Sequence, residues 1–281
     1  MQIIEPIPEM QRWSERHRLQ RERIVFVPTM GFLHEGHLSL VRDGQKRGDR
    51  LVVSIFVNPA QFSPNEDFAA YPRDFERDRE LLEKENVDVL FHPSQPDIYP
   101  DNYQSRVHVD DLSLRLCGAY RPGHFQGVAT VVAKLFNIVR PHVAIFGEKD
   151  YQQLQLIRRL VQDLNYNIEI VGHPIVREAD GLAMSSRNIY LSPQERLAAL
   201  CLSRSLRRAA CMVRRGETRE EVIINAVRAI IEKEPLAKAE YVTLCNSVTL
   251  RPVGEIQESA LLALAVRIGK TRLIDNQILK P

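Results

Sequence analysis

No Cys-X-X-Cys pair occurs in the 281 residues, and the four cysteines, Cys117, Cys201, Cys211 and Cys245, show no spacing that suggests a zinc or redox site. They read as buried, reduced thiols. Long apolar runs are equally scarce. The longest, Ala260 to Val266, falls far short of the roughly 20 residues needed to span a bilayer. The first residues, MQIIEPIPEMQRWSERHRL, carry acids and prolines where a secretory signal would have a basic end and an apolar stretch, so cytoplasmic residence is the simplest expectation. An excess of either charge is missing too: 38 Lys and Arg stand against 36 Asp and Glu, a formal net charge of +2. That balance argues against a protein whose business is binding nucleic acid or anionic membrane through bulk charge. Internal repeats and low-complexity segments are absent, and with 44% hydrophobic and 26% charged residues the composition is that of an ordinary globular chain.

What is present is an alternation. Short, mostly apolar runs at Ile24 to Val27, Leu51 to Val57, Val87 to Phe91, Val143 to Phe146 and Ile168 to Val171 suit strands covered on both faces. Between them, His37 to Arg47, Asp74 to Glu85, Val128 to Val139 and Tyr151 to Leu164 read as helices. The pattern predicts an α/β fold, a Rossmann-like doubly wound parallel sheet. After Arg177 the pattern changes. Ser192 as N-cap, Pro193 at the first helical position and Glu195 at the third start a helix reaching about Arg215, and a second follows near Arg219 to Glu232. Strand-like runs at Ala239 to Leu244 and Ala260 to Ile268 complete a smaller α+β C-terminal domain. The boundary is placed at residue 175, giving domains 1–175 and 176–281. The first carries 21 basic and 24 acidic residues, the second 17 and 12, so the near-zero total hides a modestly basic second domain. Much of that excess, Arg204, Arg207, Arg208, Arg214 and Arg215, lies at helical spacing and is read as a solvated face.

Polar residues cluster where strands end. The first long strand runs into Pro28-Thr29-Met30-Gly31-Phe32-Leu33-His34-Glu35-Gly36-His37 and then a helical pattern. A helix N-terminus at the carboxyl end of a parallel strand offers free backbone N–H groups to phosphate. His34 and His37, three apart, face the same way on a first turn and can donate to phosphate oxygens, while Gly36 is read as clearing room for close approach of a nucleotide. Zinc is the competing reading, but metalloproteases space their histidines as HExxH and this segment is HEGH. At the next strand end, Asn58 and Gln61 offer amides for hydroxyl or carboxylate groups. Gly147-Glu148-Lys149-Asp150 combines a glycine, a point positive charge and a helix start; alone it reads as a surface turn. Asp180 to Asn188 holds Ser185, Ser186 and Arg187 in a loop that is either a serine-rich linker or a closure over a triphosphate. Arg121 to Phe125 is either a surface loop or part of an anion site.

Taken in order, PTMGFLHEGH, FVNPAQF, RPGHF, FGEKDYQQ, ADGLAMSSRN and RIGKTRLIDN resemble the pantoate–β-alanine ligase family over nearly the whole chain, and HEGH resembles the HIGH-type signature of the wider nucleotidylyl-transferase superfamily. The resemblance implies ATP-dependent ligation of pantoate to β-alanine through a pantoyl adenylate, releasing pyrophosphate and AMP. It implies that Met30, Gly31, Phe32, Leu33, His34, Glu35, Gly36 and His37 line the ATP site, together with Gly147, Glu148, Lys149, Asp150, Val176, Met184, Ser185, Ser186 and Arg187. Of these, His37, His34, Lys149 and Arg187 would be catalytic, with His37 as proton donor. Gln61 and Gln153 would hold pantoate, and Gln61 would also meet β-alanine. Magnesium would arrive with ATP without a dedicated protein ligand, and the working form would be a homodimer with no nucleic-acid or membrane partner. His173 departs from the apolar residue often found there, three positions before Val176. The rival readings are a nucleotidylyl transferase that stops at nucleotide transfer, an aminoacyl-tRNA synthetase-like protein, and an ATP-sensing module without turnover.

Overall fold

The computed structural model describes residues 1–64 and 66–281. Six parallel strands form the main sheet: β1 (Gln2–Ile4), β2 (Ile24–Thr29), β3 (Arg50–Ile55), β4 (Val89–Phe91), β5 (Val143–Gly147) and β6 (Glu169–His173). Their order is β1-β4-β3-β2-β5-β6. The chain moves outward from β2 through β3 to β4, then returns to place β5 on the other flank of β2, with Val25 beside Val143 and Phe26 beside Ala144. The strand order therefore reverses between β2 and β5, and the crevice outside their carboxyl ends is the natural ligand position in such a sheet.

Helices cover both faces: α1 (Ile7–Leu19), α2 (Glu35–Gly44), α3 (Phe75–Lys84), α4 (His124–Val139) and α5 (Tyr151–Asp163). Helix α4 starts four residues before the Val128 expected from sequence, so His124 lies inside it. Its face against β2 and β5 is made of residues such as Phe125, Val128, Val132, Phe136 and Val139, all buried in the principal core. Strand β1 and helix α1 were not expected. Strand β1 is three residues long and carries no run to detect, and α1 follows Pro6, with Pro8 in its first turn. Proline is tolerated there because the first turn has no N–H to lose to an intrahelical bond.

Beyond β6, α6 (Pro193–Val213) and α7 (Glu220–Ile231) pack on an antiparallel sheet of β7 (Ala237–Cys245), β8 (Ala260–Ile268) and β9 (Thr271–Leu279). Helix α6 has the expected start: Glu195 N–H donates to Ser192 Oγ, and the Glu195 carboxylate accepts from Ser192 N–H. The third strand, β9, is an addition to the two expected. Arg204, Arg207, Arg208, Arg214 and Arg215 are exposed, as a solvated helix face requires. Strand β8 alternates between two cores. Leu262, Leu264, Val266 and Ile268 face α6 and α7, whereas Leu261, Ala263 and Ala265 join the core of the parallel-sheet unit. The small sheet is thereby buried on both sides, which brings β9 against the crevice. Cys117, Cys201 and Cys245 are buried and Cys211 is only half-buried. No helix among the described residues is long and apolar enough to cross a membrane.

Candidate active site

The turn after β2 has an unusual backbone. Gly31 and Phe32 both take positive φ, 79° and 50°, and a Cβ on Gly31 would come within 2.9 Å of Ile55 and 3.0 Å of Asp78. Asp78 on α3, 1% exposed, accepts the Phe32 N–H at 2.6 Å and the Leu33 N–H at 2.7 Å. Its carboxylate fixes the turn, although nothing in the charged run FERDRELLEK marks it out from its neighbours. Burial raises the Asp78 carboxyl above its ordinary value even though the two backbone N–H groups favour the ionised form.

This turn delivers two histidines to the start of α2. His34 is the N-cap, and its Nδ1 accepts the Gly36 N–H at 3.1 Å; His37 Nδ1 accepts the His34 N–H at 3.3 Å. The rings lie 4.1 Å apart, centroid to centroid, and both face one cavity. Because each Nδ1 is an acceptor, each neutral ring carries its proton on Nε2. Burial, and then the charge of Lys149, holds His34 down to about 4; burial beside His34 and Lys149 puts His37 well below its ordinary value. At neutral pH these rings are therefore uncharged donors, and the cations are Lys149 and Arg187. Gly36 lines the same cavity and is also required by the cap. A Cβ there would fall 2.8 and 2.9 Å from the His34 ring, so the glycine makes room for the capping imidazole.

The depressed histidines carry a pH signature. His124 is likewise held at about 4, by burial and then by Arg121. Free in an unfolded chain His34 and His124 bind protons near pH 6.5, while the folded protein refuses them until about pH 4, so stability is full above 6.5 and falls as pH drops through that window. We expect urea unfolding of the ligand-free protein to lose on the order of 2 kcal/mol per group between pH 7.5 and 5, with His34→Asn and His124→Asn each flattening the slope. A pH-independent unfolding free energy over that range would contradict these assignments.

Asn58 was expected to be available to a ligand. Instead it is 1% exposed and its amide is spent internally: Nδ2 donates to Gln61 Oε1 and Gly127 O, while Oδ1 accepts from Ala60 N–H and Tyr99 Oη. Its effect is to orient Gln61, whose Nε2 lies 3.0 Å from Met30 Sδ. The Arg121 to Phe125 segment belongs to the same place. His124 Nδ1–H donates to Gln61 O at 2.8 Å, its Nε2 accepts from Arg121, and Arg121 is paired with Glu66 at 2.6 Å.

Met30, His34, Gly36, His37, Gln61, Gly147, Lys149, Asp150, Gln153, Val176, Met184, Ser185, Ser186 and Arg187 line a cavity of about 230 Å³ at the β2 and β5 ends. A larger one of about 840 Å³ opens between the two sheets and shares Arg121, His124, Lys149, Asp150, Gln153, Ser185 and Arg187 with it. Five expected residues are placed otherwise. Gly31 shapes the turn behind the cavity, Leu33 is buried in the core, the Phe32 ring lies under Arg77, Glu35 pairs with Arg42, and the Glu148 carboxylate approaches Gly172. Val176 O accepts the Met184 N–H at 3.0 Å, and Ser186 Oγ donates to Phe32 O at 3.2 Å, so the 176–187 loop is tied back to the β2 turn. Arg187 is held by Asp67 through Nε at 2.9 Å and Nη2 at 2.8 Å and lies over the Tyr71 ring, leaving Nη1 outside that pair. Asp67 and Tyr71 went unmarked in the sequence. His173 closes β6 with Nδ1 3.6 Å from Asp43, which gives its polar ring a partner where an apolar residue was the expectation.

Uncharged imidazole donors, a lysine and an arginine around a crevice at the strand-order reversal define a nucleotide-using enzyme of the HIGH type. Comparison with known proteins sharpens this. The profile of the pantoate-beta-alanine ligase family matches residues 2–278. The chain is 57% identical to the pantothenate synthetase of Desulforapulum autotrophicum, over 100% of this chain and 99% of that protein. It superposes on the crystal structure of pantothenate synthetase from Thermus thermophilus with a TM-score of 0.95 and 44% identity, all of both chains being covered. With the pantoate-beta-alanine ligase of Francisella tularensis, crystallised with beta-gamma ATP and beta-alanine, the TM-score is 0.82 and the identity 36%, over 99% of this chain and 97% of the other. The chain belongs to the pantoate-beta-alanine ligase family. It is a ligase that joins pantoate and β-alanine into pantothenate with ATP, through a pantoyl adenylate.

Proposed function

We propose that both half-reactions run in the histidine-lined cavity and its opening into the larger one. A pantoate carboxylate oxygen attacks the α-phosphorus of ATP, the bond from that phosphorus to the bridging oxygen breaks, and pyrophosphate leaves. The β-alanine amine then attacks the acyl carbon, AMP departs and the amine proton is lost. Activation is needed because a free carboxylate is a poor acyl donor. In this reading Gln61, set by Asn58, and Gln153 hold pantoate, with Gln61 also beside β-alanine. Met30, His34, Gly36, His37, Gly147, Lys149, Asp150, Val176 and Met184 to Arg187 surround the nucleotide. His34 and His37 donate Nε2–H bonds to phosphate oxygens, and Lys149 and Arg187 Nη1 meet the charge that builds on the departing pyrophosphate.

Magnesium supplies charge neutralisation when it arrives with ATP. In this reading the ion is held chiefly by phosphate oxygens and water, with no dedicated protein ligand. Asp150, half-exposed at the wall shared by both cavities, is the carboxylate placed to meet its hydration shell. Residues 1–175 act as the ATP- and pantoate-binding domain and 176–281 as the lid. The working form is taken to be a cytoplasmic homodimer acting without nucleic acid or membrane; a monomeric mass by light scattering would remove the dimer.

The observation that carries the reading is the single wall formed by two Nε2–H donors, Lys149 and Arg187 at the strand-order reversal. Its test is isotope exchange between pyrophosphate and ATP without β-alanine. Exchange should require pantoate; exchange that is absent while pantothenate is still formed would sink the two-step account and leave a concerted ligation.

A further inference from the structure

Two consecutive residues of β9, Asp275 and Asn276, are polar and buried in a strand whose neighbours pack against apolar cores. Neither lies on a loop expected to touch substrate, yet between them they hold two such loops. Asn276 Nδ2 donates to Glu148 O at 2.9 Å and to Lys149 O at 3.0 Å, reaching 128 and 127 residues back along the chain. Both of its amide hydrogens are therefore engaged by successive carbonyls of the turn that carries Lys149. Asp275 accepts from Arg177 Nη1 at 2.7 Å and Nη2 at 2.9 Å, and Arg177 Nη1 also donates to Gly181 O at 3.2 Å. Arg177 lies at the root of the 176–187 loop, where it bridges to Ala183. The pair is joined internally, since Asn276 N–H donates to Asp275 Oδ1 at 2.8 Å.

A purely structural explanation is weak. Burying an ion pair and an amide is seldom the most stable way to fill a strand, since apolar replacements are often as stable or more so. Their geometry has a better use. The turn 148–150 is a single 3-10 turn between β5 and α5, and no side chain caps it. Without Asn276, two adjacent carbonyls would be free to reorient, and the Lys149 side chain would move with its peptide. The groups proposed to meet the phosphates come from two separate segments, one after β5 and one after β6, and must be held in register to well under an ångström to act together. Asp275-Asn276 is where the small sheet fixes both.

We propose that Asn276 is a positioning residue for the ligation: through its two bonds to the 148–149 carbonyls it sets Lys149 against the triphosphate, while Asp275 sets the opposite loop through Arg177. The proposal rests on Lys149 meeting phosphate, as argued above, and its experiment separates the two. In a double-mutant cycle, Asn276→Ala, Lys149→Ala and the double variant are compared for KM of ATP and for the rate of pantoate-dependent pyrophosphate exchange, alongside the thermal midpoint of each. Asn276→Ala is expected to raise the KM for ATP about tenfold while leaving the KM for β-alanine within about twofold, and to add less than about twofold once Lys149 is already alanine. The isosteric Asn276→Asp, which turns carboxylate oxygens toward two carbonyls, should raise the ATP KM at least as far. KM does not depend on how much of a preparation is folded, so a loss of stability does not mask the result. Effects of Asn276→Ala and Lys149→Ala that multiply, or an unchanged ATP KM in Asn276→Ala, overturn the positioning role. A Lys149→Ala enzyme with normal ATP dependence overturns the Lys149 assignment itself, and the proposal with it.

Discussion

Replacing His37 by alanine should slow formation of the acyl adenylate by about 10² to 10³, the range seen when one preorganised donor to a developing charge is removed. The effect follows from the ring's protonation state. His37 is half-buried and accepts the His34 N–H at Nδ1, and burial with the neighbouring His34 and Lys149 holds it well below its ordinary value, so it stands at neutral pH as an Nε2–H donor with no charge. Such a group strengthens its bond as charge accumulates on a phosphate oxygen in the transition state, and it needs no reorganisation to do so. Pantoate affinity should change little, since pantoate is assigned to Gln61 and Gln153. Glutamine separates the two possible duties of the ring. Its terminal amide reaches roughly as far as Nε2 and donates a hydrogen bond, but it does not deliver a proton. A His37→Gln enzyme within about tenfold of wild type would identify hydrogen-bond donation as the main contribution. One as slow as His37→Ala would assign His37 proton transfer to the leaving pyrophosphate, and full activity in His37→Ala would remove it from the mechanism.

The second large effect is expected at a residue that lines neither cavity. Asp78→Ala strands the N–H groups of Phe32 and Leu33 in a turn already carrying two positive φ angles, and a buried donor left without a partner costs about 1 to 3 kcal/mol. The loss for two donors is expected to be about 2 to 5 kcal/mol in urea unfolding, with adenylation falling as well because the turn leads directly into the His34 cap. Asp78→Asn keeps one acceptor oxygen and should recover a substantial part of the stability. Stability within about 0.5 kcal/mol of wild type in Asp78→Ala would show that the turn holds itself.

These expectations illustrate what a sequence discloses. The strands β2, β3 and β5 were legible because a strand buried on both faces is apolar at nearly every position, and IVF, LVVSIF and VAIF, broken only by the small Ser54, have no other economical reading. Helix α6 announced itself through Ser192, Pro193 and Glu195, whose capping roles are local. The motif residues stood out because histidines, amides and a lysine fell where apolar runs ended. What could not be read were pairings between distant segments. The carboxylate that fixes the β2 turn sits in a helix where all but Phe75, Leu81 and Leu82 are charged, and only the packing of α3 selects Asp78. Asp67 beside Arg187, Asp275 on Arg177 and Asn276 on the Lys149 turn are contacts across 120, 98 and 127 residues, invisible to spacing. Local reasoning also missed two supporting duties. Asn58 looked like a ligand contact because it neighbours Gln61, but its amide is spent on orienting Gln61, and Gly36, which lines the cavity, also accommodates an imidazole. Strand β9 was overlooked for a related reason, since buried Asp275 and Asn276 interrupt the apolar pattern by which strands are found.

The central claim is that pantoate is activated as an adenylate in the histidine-lined cavity before β-alanine takes part. The most direct measurement is a rapid-quench single turnover in which enzyme in excess meets ATP labelled at the α-phosphate, with pantoate and without β-alanine. The account predicts that label moves into pantoyl adenylate up to one equivalent of the limiting ATP, and that adding β-alanine then converts it to AMP as pantothenate forms. Label that stays in ATP until β-alanine is added, and passes to AMP with no adenylate detected on the way, would contradict it.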